Sequence, residues 1–328
     1  MIYLVRVKQL VEISEQCCAR IAAMSIDIVF MGSPDFALPA LRALAEHFHV
    51  AGVITQPDRP AGRGRQLTPP PVKILAQELE LPVIQPKRLG EPEAMQQLRS
   101  WAPDLIVVAA FGQILRLELL DLPPHGCLNV HASLLPRWRG AAPIQAALLA
   151  GDEQTGVTIL KMDPGVDTGP ILSQRAGAIL PDDTAGSLAV RLAQLGAELL
   201  VESLPAYLGG SLTPQPQDES QATHAPMLKK EDGQLDFHQP AEQLARLARA
   251  FNPWPGAYTL WQGQGLKIHR AQAVAAPAPG AGQTCIHAGL PAIATSQGLL
   301  VLDEVQPAGK KSMTGKIFLQ GARKWGSE

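Results

Sequence analysis

The chain has 328 residues, 46% of them hydrophobic, and a formal charge of -2. That length exceeds one ordinary core and implies two soluble domains, while the near-neutral charge excludes a chain coated in positive charge, so any nucleic-acid contact must come from local basic patches. The four cysteines, Cys17, Cys18, Cys127 and Cys285, show neither metal-ligand spacing nor the density of a disulfide scaffold, which gives no metal assignment and fits a reducing cytoplasm.

No stretch reaches the ~18 consecutive apolar residues of a membrane span. In the opening stretch, Glu12 and Glu15 fall where an export signal needs an unbroken apolar segment, so residues 1–24 read as an extension in front of the fold. From residue 25 to 208, short apolar runs alternate with helix-length amphipathic stretches. This is the pattern of an α/β, Rossmann-like, mostly parallel sheet with crossover helices. Strands are expected over 26–31, 50–55, 105–110, 127–130 and 156–162, with 36–45 and 142–149 among the helices. Several of the runs are continuous, as strands covered on both faces require. Ligands of such sheets sit beyond the carboxyl ends of the strands, so the loops that follow them are where chemistry is expected.

Residues 209–228 are poor in apolar side chains and rich in Gly, Pro, Ser and Gln, the composition of a linker. Residues 229–328 open with an amphipathic helix over 241–251 and continue in short strands over 257–261, 266–269 and 299–305. Glycine and proline turns separate them, which predicts a small β-barrel of the OB-like kind. The Ala/Pro/Gly tract 275–282 reads as a loop insertion, and Phe251-Asn252-Pro253-Trp254-Pro255 as a packed hinge between helix and strands.

The strand over 127–130 runs into Asn129-Val130-His131. Residues two apart on a strand face the same way, so the amide and the imidazole converge. That pair suits carbonyl chemistry, with one group stabilising an oxyanion while the other manages a proton. A lone strand-end histidine is more often structural; what raises this one is the turn after the next strand, where Asp163 and Asp167 both stand within reach. Either carboxylate can orient the ring, or both can simply make the turn. The first strand-to-helix turn, Gly32-Ser33-Pro34-Asp35-Phe36, lacks the spaced glycines of a dinucleotide fingerprint, which argues against a nicotinamide cofactor.

Two basic segments stand out. Arg59, Arg63, Arg65 and Lys73 face a single acid, Asp58, in a proline-stiffened loop, and Lys310, Lys311, Lys316, Arg323 and Lys324 have no acid among them. Solvated surface explains such runs as readily as phosphate binding when they are taken alone.

Four stretches carry a resemblance: Gly32 to Ala37; Thr55 to Arg65; Asn129-Val130-His131-Ala132-Ser133-Leu134-Leu135-Pro136-Arg137-Trp138-Arg139-Gly140 with the residues to Ile144; and Met162 to Gly169. On these, and on Phe251 to Pro255 and Gln306 to Lys311, the chain resembles the folate-dependent formyltransferase superfamily, in the branch that acts on charged initiator tRNA. The resemblance implies 10-formyltetrahydrofolate as co-substrate, no metal, and the amino group of methionine on initiator tRNA as acceptor, for translation initiation. It implies Asn129, His131 and Asp167 as a catalytic trio, and Ser133, Leu134, Leu135 and Pro136 at the pterin end of the folate. Arg59, Arg63 and Arg65 are implied at the tRNA acceptor end and Lys310 and Lys311 at its backbone, in a cytoplasmic protein expected to act as a monomer. Departures from the family are Ala132 where Gly is usual, Val166 for a common Leu, and residues 1–23. The trio alone leaves open a formyltransferase acting on an amino sugar nucleotide or a purine precursor, and a formyl-folate sensor without turnover.

Overall fold

The computed structural model describes residues 26–61, 66–277 and 280–326. These form two compact units. One comprises the described residues up to Arg139 with Gly156–Gly177 and Val190–Thr223; the other comprises Gly140–Thr155, Ala178–Ala189 and the residues from His224 onward. Residues 209–223, whose composition reads as linker, therefore group with the first unit.

In the first unit the strands are β1 (Asp27–Gly32), β2 (His49–Ile54), the short pair β3 (Arg59–Ala61) and β4 (Gln66–Thr68), β5 (Val83–Ile84), β6 (Leu105–Ala109) and β7 (Cys127–His131). After β8 (Arg139–Gly140) come β9 (Gln154–Lys161) and β10 (Ile171–Ala178). Seven of them make one sheet in the order β10-β9-β7-β6-β1-β2-β5. The pairs β1/β2, β1/β6, β2/β5 and β6/β7 are parallel, and β7/β9 is antiparallel. Val29, Phe30 and Met31 of β1 and Ile106 and Val107 of β6 are fully buried, which is why those runs carry no polar alternation. The terminal strand β10 does alternate, as a strand open on one face should.

Helices in this unit start where proline can replace an N–H that would be orphaned anyway. Pro39 opens α1 (Leu38–His47), Pro71 opens α2 (Pro71–Glu78) and Pro92 opens α3 (Pro92–Ser100). Each turns a stripe at helical spacing inward: Ala40, Leu41 and Leu44 of α1, Val72, Leu75 and Ala76 of α2, and Ala94, Met95 and Leu98 of α3. The short helix α4 (Leu117–Leu120) follows β6; the helix predicted over 142–149 is α5 (Pro143–Ala150), which belongs to the second unit and is closed by Gly151 in the left-handed conformation. The longest described helix is α6 (Ala185–Leu208), whose residues from Val190 onward belong to the first unit.

The strand direction changes one expectation. In a mostly parallel sheet the turn after β9 would lie at the carboxyl end of β7. Because β9 runs antiparallel, Lys161 lies opposite Leu128 and Thr158 opposite His131, so β9 ends beside the beginning of β7. The turn reaches β7 by folding back instead. Lys161 N donates to Pro170 O at 2.9 Å, closing the excursion at its base. Gly169 is required there, since a Cβ would lie 1.9 Å from Lys161 O.

The second unit contains β11 (His224–Ala225), α7 (Ala241–Ala250), β12 (Ala257–Trp261), β13 (Gln264–Val274), β14 (Thr284–His287), β15 (Leu290–Ala294), β16 (Leu299–Pro307), β17 (Met313–Thr314) and α8 (Gly315–Gly321). The antiparallel sheet runs β12-β13-β16-β15-β14 with β17 against β16. Among the described residues β12 and β14 do not pair, so the sheet is open at that seam, as OB-like barrels commonly are. Its core joins Leu244, Leu266, Ile268, Ile293, Leu300 and Leu302, with Trp261, Phe318 and Trp325 stacking edge-on or tilted at 5.2 to 5.8 Å between ring centres. The expected packed hinge is only half so: Phe251 is buried, but Trp254 is 53% exposed.

Candidate active site

β7 brings Asn129 and His131 to one face, as period-two geometry requires, and the folded-back turn sets Asp167 against both. Asn129 Nδ2 donates to Asp167 Oδ1 at 3.1 Å. Asp167 Oδ2 stands 3.5 Å from His131 Nδ1. The other ring nitrogen, Nε2, donates to Trp138 O at 3.0 Å, which assigns the ring a proton on Nε2 and turns Nδ1 to the carboxylate. The side chains of His131 and Asp167 are 6% and 14% exposed, so their electrostatics operate largely out of water.

Two residues adopt uncommon backbone angles to make this arrangement. Asp167 has φ of 54° and Trp138 φ of 66°. An aspartate visits the left-handed region at modest cost, but a tryptophan there is a true outlier, of the kind that collects at functional sites. At Trp138 the conformation aims a carbonyl at the imidazole. At Asp167 it aims the carboxylate at β7.

The two carboxylates left open by sequence now separate. Asp163 is consumed by the turn itself, accepting from Gly165 N at 3.0 Å and from Thr168 Oγ1 at 2.7 Å. Asp167 is the one that meets the amide and the imidazole.

The segment after β7 is pinned. Thr158 Oγ1 donates to Ser133 O at 2.7 Å and accepts from Leu135 N at 3.1 Å, and Gln174 Nε2 donates to Leu135 O at 2.8 Å. Ser133 is fully buried and spends its hydroxyl on Arg137 O at 2.6 Å, while Leu135 is 3% exposed. Of the four residues implied at the folate, only Leu134 and Pro136 therefore keep accessible side chains. Cys127, at the start of β7, is not a nucleophile: burial, with Asp121 adding to it, pushes its thiol up to about 12.

Arg59 is exposed and donates to Gln56 Oε1 at 3.0 Å, at the base of the antiparallel pair β3/β4. Arg63 and Arg65 lie outside the described residues. Lys73, counted with them by sequence, is instead neutralised: both Asp58 oxygens accept from its Nζ, at 2.9 and 2.8 Å, and Gln85 adds a third bond to the same carboxylate. The bonds from Lys73 and Gln85 hold the Asp58 carboxyl below its usual value. In the other unit Lys310 and Lys311 are exposed in the turn between β16 and β17, where Gln306 Nε2 holds Lys310 O at 2.9 Å.

Sequence reasoning passed over three contributors: the Trp138 carbonyl, Arg139 and Gln217. The first two lie inside the quoted motif but carry no signal of function there, since a main-chain oxygen has no residue type. Gln217 stands in the apparent linker. Its Nε2 donates to Asp167 O and Gly169 O.

Residues 26–204 match the formyl transferase family and residues 227–323 the formyl transferase C-terminal domain. A methionyl-tRNA formyltransferase of Halorhodospira halophila is 52% identical over 303 residues, covering 92% of this chain and 97% of its own. One from Myxococcus xanthus is 51% identical over 296 residues, covering 90% and 94%. A solved methionyl-tRNA formyltransferase from Clostridium thermocellum shares the fold with a TM-score of 0.52 at 17% identity, over 76% of this chain and 94% of that one. With both family domains matched in order and half the residues identical across nine-tenths of the chain, this protein belongs to the formyl transferase family.

Proposed function

We infer that the chain transfers the formyl group of 10-formyltetrahydrofolate to the amino group of methionine carried by initiator tRNA, the step that prepares that tRNA for translation initiation. The observation that carries the chemistry is the bridge made by Asp167 between the Asn129 amide and the His131 imidazole. Among the described residues one amide hydrogen of Asn129 goes to Asp167, which leaves the other for the oxyanion that forms when the amine attacks the formyl carbon. Protonated His131 lends positive charge beside that oxygen. Asp167, within reach of the ring, orients it and takes up the proton that the amine sheds; the bond from the formyl carbon to the folate nitrogen then breaks, that nitrogen takes the proton, and tetrahydrofolate leaves.

The donor set suits a folate. The residues after β7 offer a rigid main chain with Leu134 and Pro136 accessible, an apolar edge against which the pterin end can lie. Ser133 and Leu135 serve there by shaping the backbone. The folate supplies an activated formyl carbonyl when bound; this chain's residues bind, orient and hold the proton.

For the tRNA, Arg59, Arg63 and Arg65 are assigned to the acceptor end and Lys310 and Lys311 to phosphates. Replacing Lys310 and Lys311 together with alanine is expected to weaken initiator and elongator tRNA about equally and to lower the salt slope of binding by roughly one to two units, because phosphate contacts position without specifying. Filter binding across a salt series checks this; an unchanged slope moves the tRNA path elsewhere. No described helix is long and apolar enough to cross a membrane, and we place the protein in the cytoplasm as a monomer. The deciding experiment is release of tetrahydrofolate on adding charged initiator tRNA. Release with an amino sugar nucleotide or purine precursor in its place supports another acceptor, and folate binding without release supports a sensor.

A further inference from the structure

The turn that presents Asp167 is gripped by a side chain fifty residues further along the chain. Gln217 Nε2 donates to Asp167 O at 2.8 Å and to Gly169 O at 2.7 Å, so both amide hydrogens of one glutamine end on the backbone either side of Thr168. Its remaining polar atom, Oε1, accepts from Arg139 Nε at 3.0 Å and from Arg139 Nη2 at 2.8 Å. Glu219 closes the chain, with Arg139 Nη1 and Nη2 bonded to its two oxygens at 2.8 and 2.7 Å.

Each link has a physical reason. Arg139 is 3% exposed, and a buried guanidinium is tolerated only when its hydrogens are met. Glutamine's amide is nearly symmetric in shape, so its oxygen and nitrogen can exchange places by a half-turn. A guanidinium can only donate, which forces Oε1 toward Arg139 and the NH₂ toward the two carbonyls. One of those carbonyls belongs to Asp167 itself, whose φ of 54° is the angle from which its carboxylate reaches Asn129 and His131. Rotating the peptide out of that region breaks the Gln217 bonds.

We propose that Gln217, oriented by Arg139, is a positioning residue for the reaction: it holds the Asp167 turn so that the carboxylate stays in register with Asn129 and His131. The proposal rests on the reading of Asn129, His131 and Asp167 as the catalytic trio. The competing role is a plain staple that fastens residues 209–223 to the first unit.

A double-mutant cycle in single-turnover formyl transfer separates the two. Gln217→Met keeps the bulk and removes every polar bond; Gln217→Glu keeps an acceptor for Arg139 but cannot donate to both carbonyls. Both are expected to slow transfer by about 30-fold, with the concentrations of folate and tRNA needed for half-maximal rate within about threefold, since a shift of about 1 Å in a catalytic group costs up to about 10²-fold. In an Asp167→Asn background the same changes are expected to cost less than about threefold, because groups acting through one another are non-additive. Thermal unfolding of Gln217→Glu should stay close to that of the parent. Equal losses in both backgrounds, parental rates in either Gln217 variant, or failure of both to fold makes Gln217 a staple and overturns the proposal. If Asp167→Asn itself keeps the parental rate, the trio reading falls and this inference with it; if it is slow while the Gln217 variants are fast, only this inference falls.

Discussion

Alanine at His131 or at Asn129 is expected to lower single-turnover formyl transfer by about 10²-fold or more while folate binding stays within a few-fold. The separation of rate from binding follows from where the two groups point. Asn129 gives one hydrogen to Asp167 and has another for an oxygen whose charge exists only in the transition state. His131 is held by Trp138 O on one side and faces the carboxylate on the other, a setting that organises a proton rather than a planar pterin. Removing either group leaves the pinned Ser133–Pro136 backbone untouched, since Thr158 and Gln174 hold it independently. The double variant is expected to be little slower than the worse single one, because groups joined through Asp167 are expected to act as a unit. Rates under single turnover, with folate binding measured in parallel, check both statements. Parental rates in a folded His131→Ala or Asn129→Ala protein would remove the chemistry assigned to this strand.

The second large effect is expected at Arg63, and it concerns selection rather than rate alone. Gly62 and Gly64 flank this arginine, so the backbone beside it can take angles closed to other residues and come close to a partner. Ala61 and Gln66, paired at the ends of β3 and β4, are the described ladder residues nearest to it in the chain. An initiator tRNA has a weak or absent first pair in its acceptor stem, so opening that end to reach the active site is least costly there. On the proposed assignment of Arg63 to the acceptor end, an arginine pressed into the opened end would select without reading many bases. Arg63→Ala is therefore expected to narrow the gap between initiator tRNA and a version with a strong first pair by roughly 1 to 3 kcal/mol. Arg65→Ala should narrow it far less, and Arg63→Lys should rescue poorly because lysine lacks the planar fork. The comparison needs kcat/KM for both tRNAs with each variant. An equal slowing of both tRNAs by Arg63→Ala would make this arginine an ordinary phosphate contact.

Much of the framework is legible without coordinates. The runs at 26–31, 50–55, 105–110 and 127–130 are strands within a residue or two of the observed β1, β2, β6 and β7, because a strand covered on both faces reads as a largely unbroken apolar run, with Asn129 the exception in β7. The helices at 36–45, 142–149 and 241–251 are equally readable from their periodic stripes. Asn129 and His131 could be paired from sequence because the alternation of a strand decides their common face by itself. The choice between Asp163 and Asp167 could not be made from residue type, since the two stand in one turn with identical chemistry; the family resemblance singled out Asp167, and the geometry gives the reason. Thr168 and Gly165 take up the first, and a left-handed backbone aims the second.

Sequence by itself determined the strands, the converging amide and imidazole, and the two-part composition of the chain, all of which follow from local patterns in which neighbours along the chain decide the outcome. Tertiary structure alone decided the direction of β9, the folding back of the Asp167 turn, the pairing of Lys73 with Asp58, and the hydrogen bonds of Gln217 to that turn. Period-two alternation is the same in either direction, so it cannot tell a parallel strand from an antiparallel one. Gln217 lies in a stretch whose proline and polar content has the signature of a linker, and its role comes from hydrogen bonds to residues 48 and 50 positions away. Such bonds leave no periodic trace in the chain, because each buried polar group needs only one well-placed partner, and where along the sequence that partner stands does not matter.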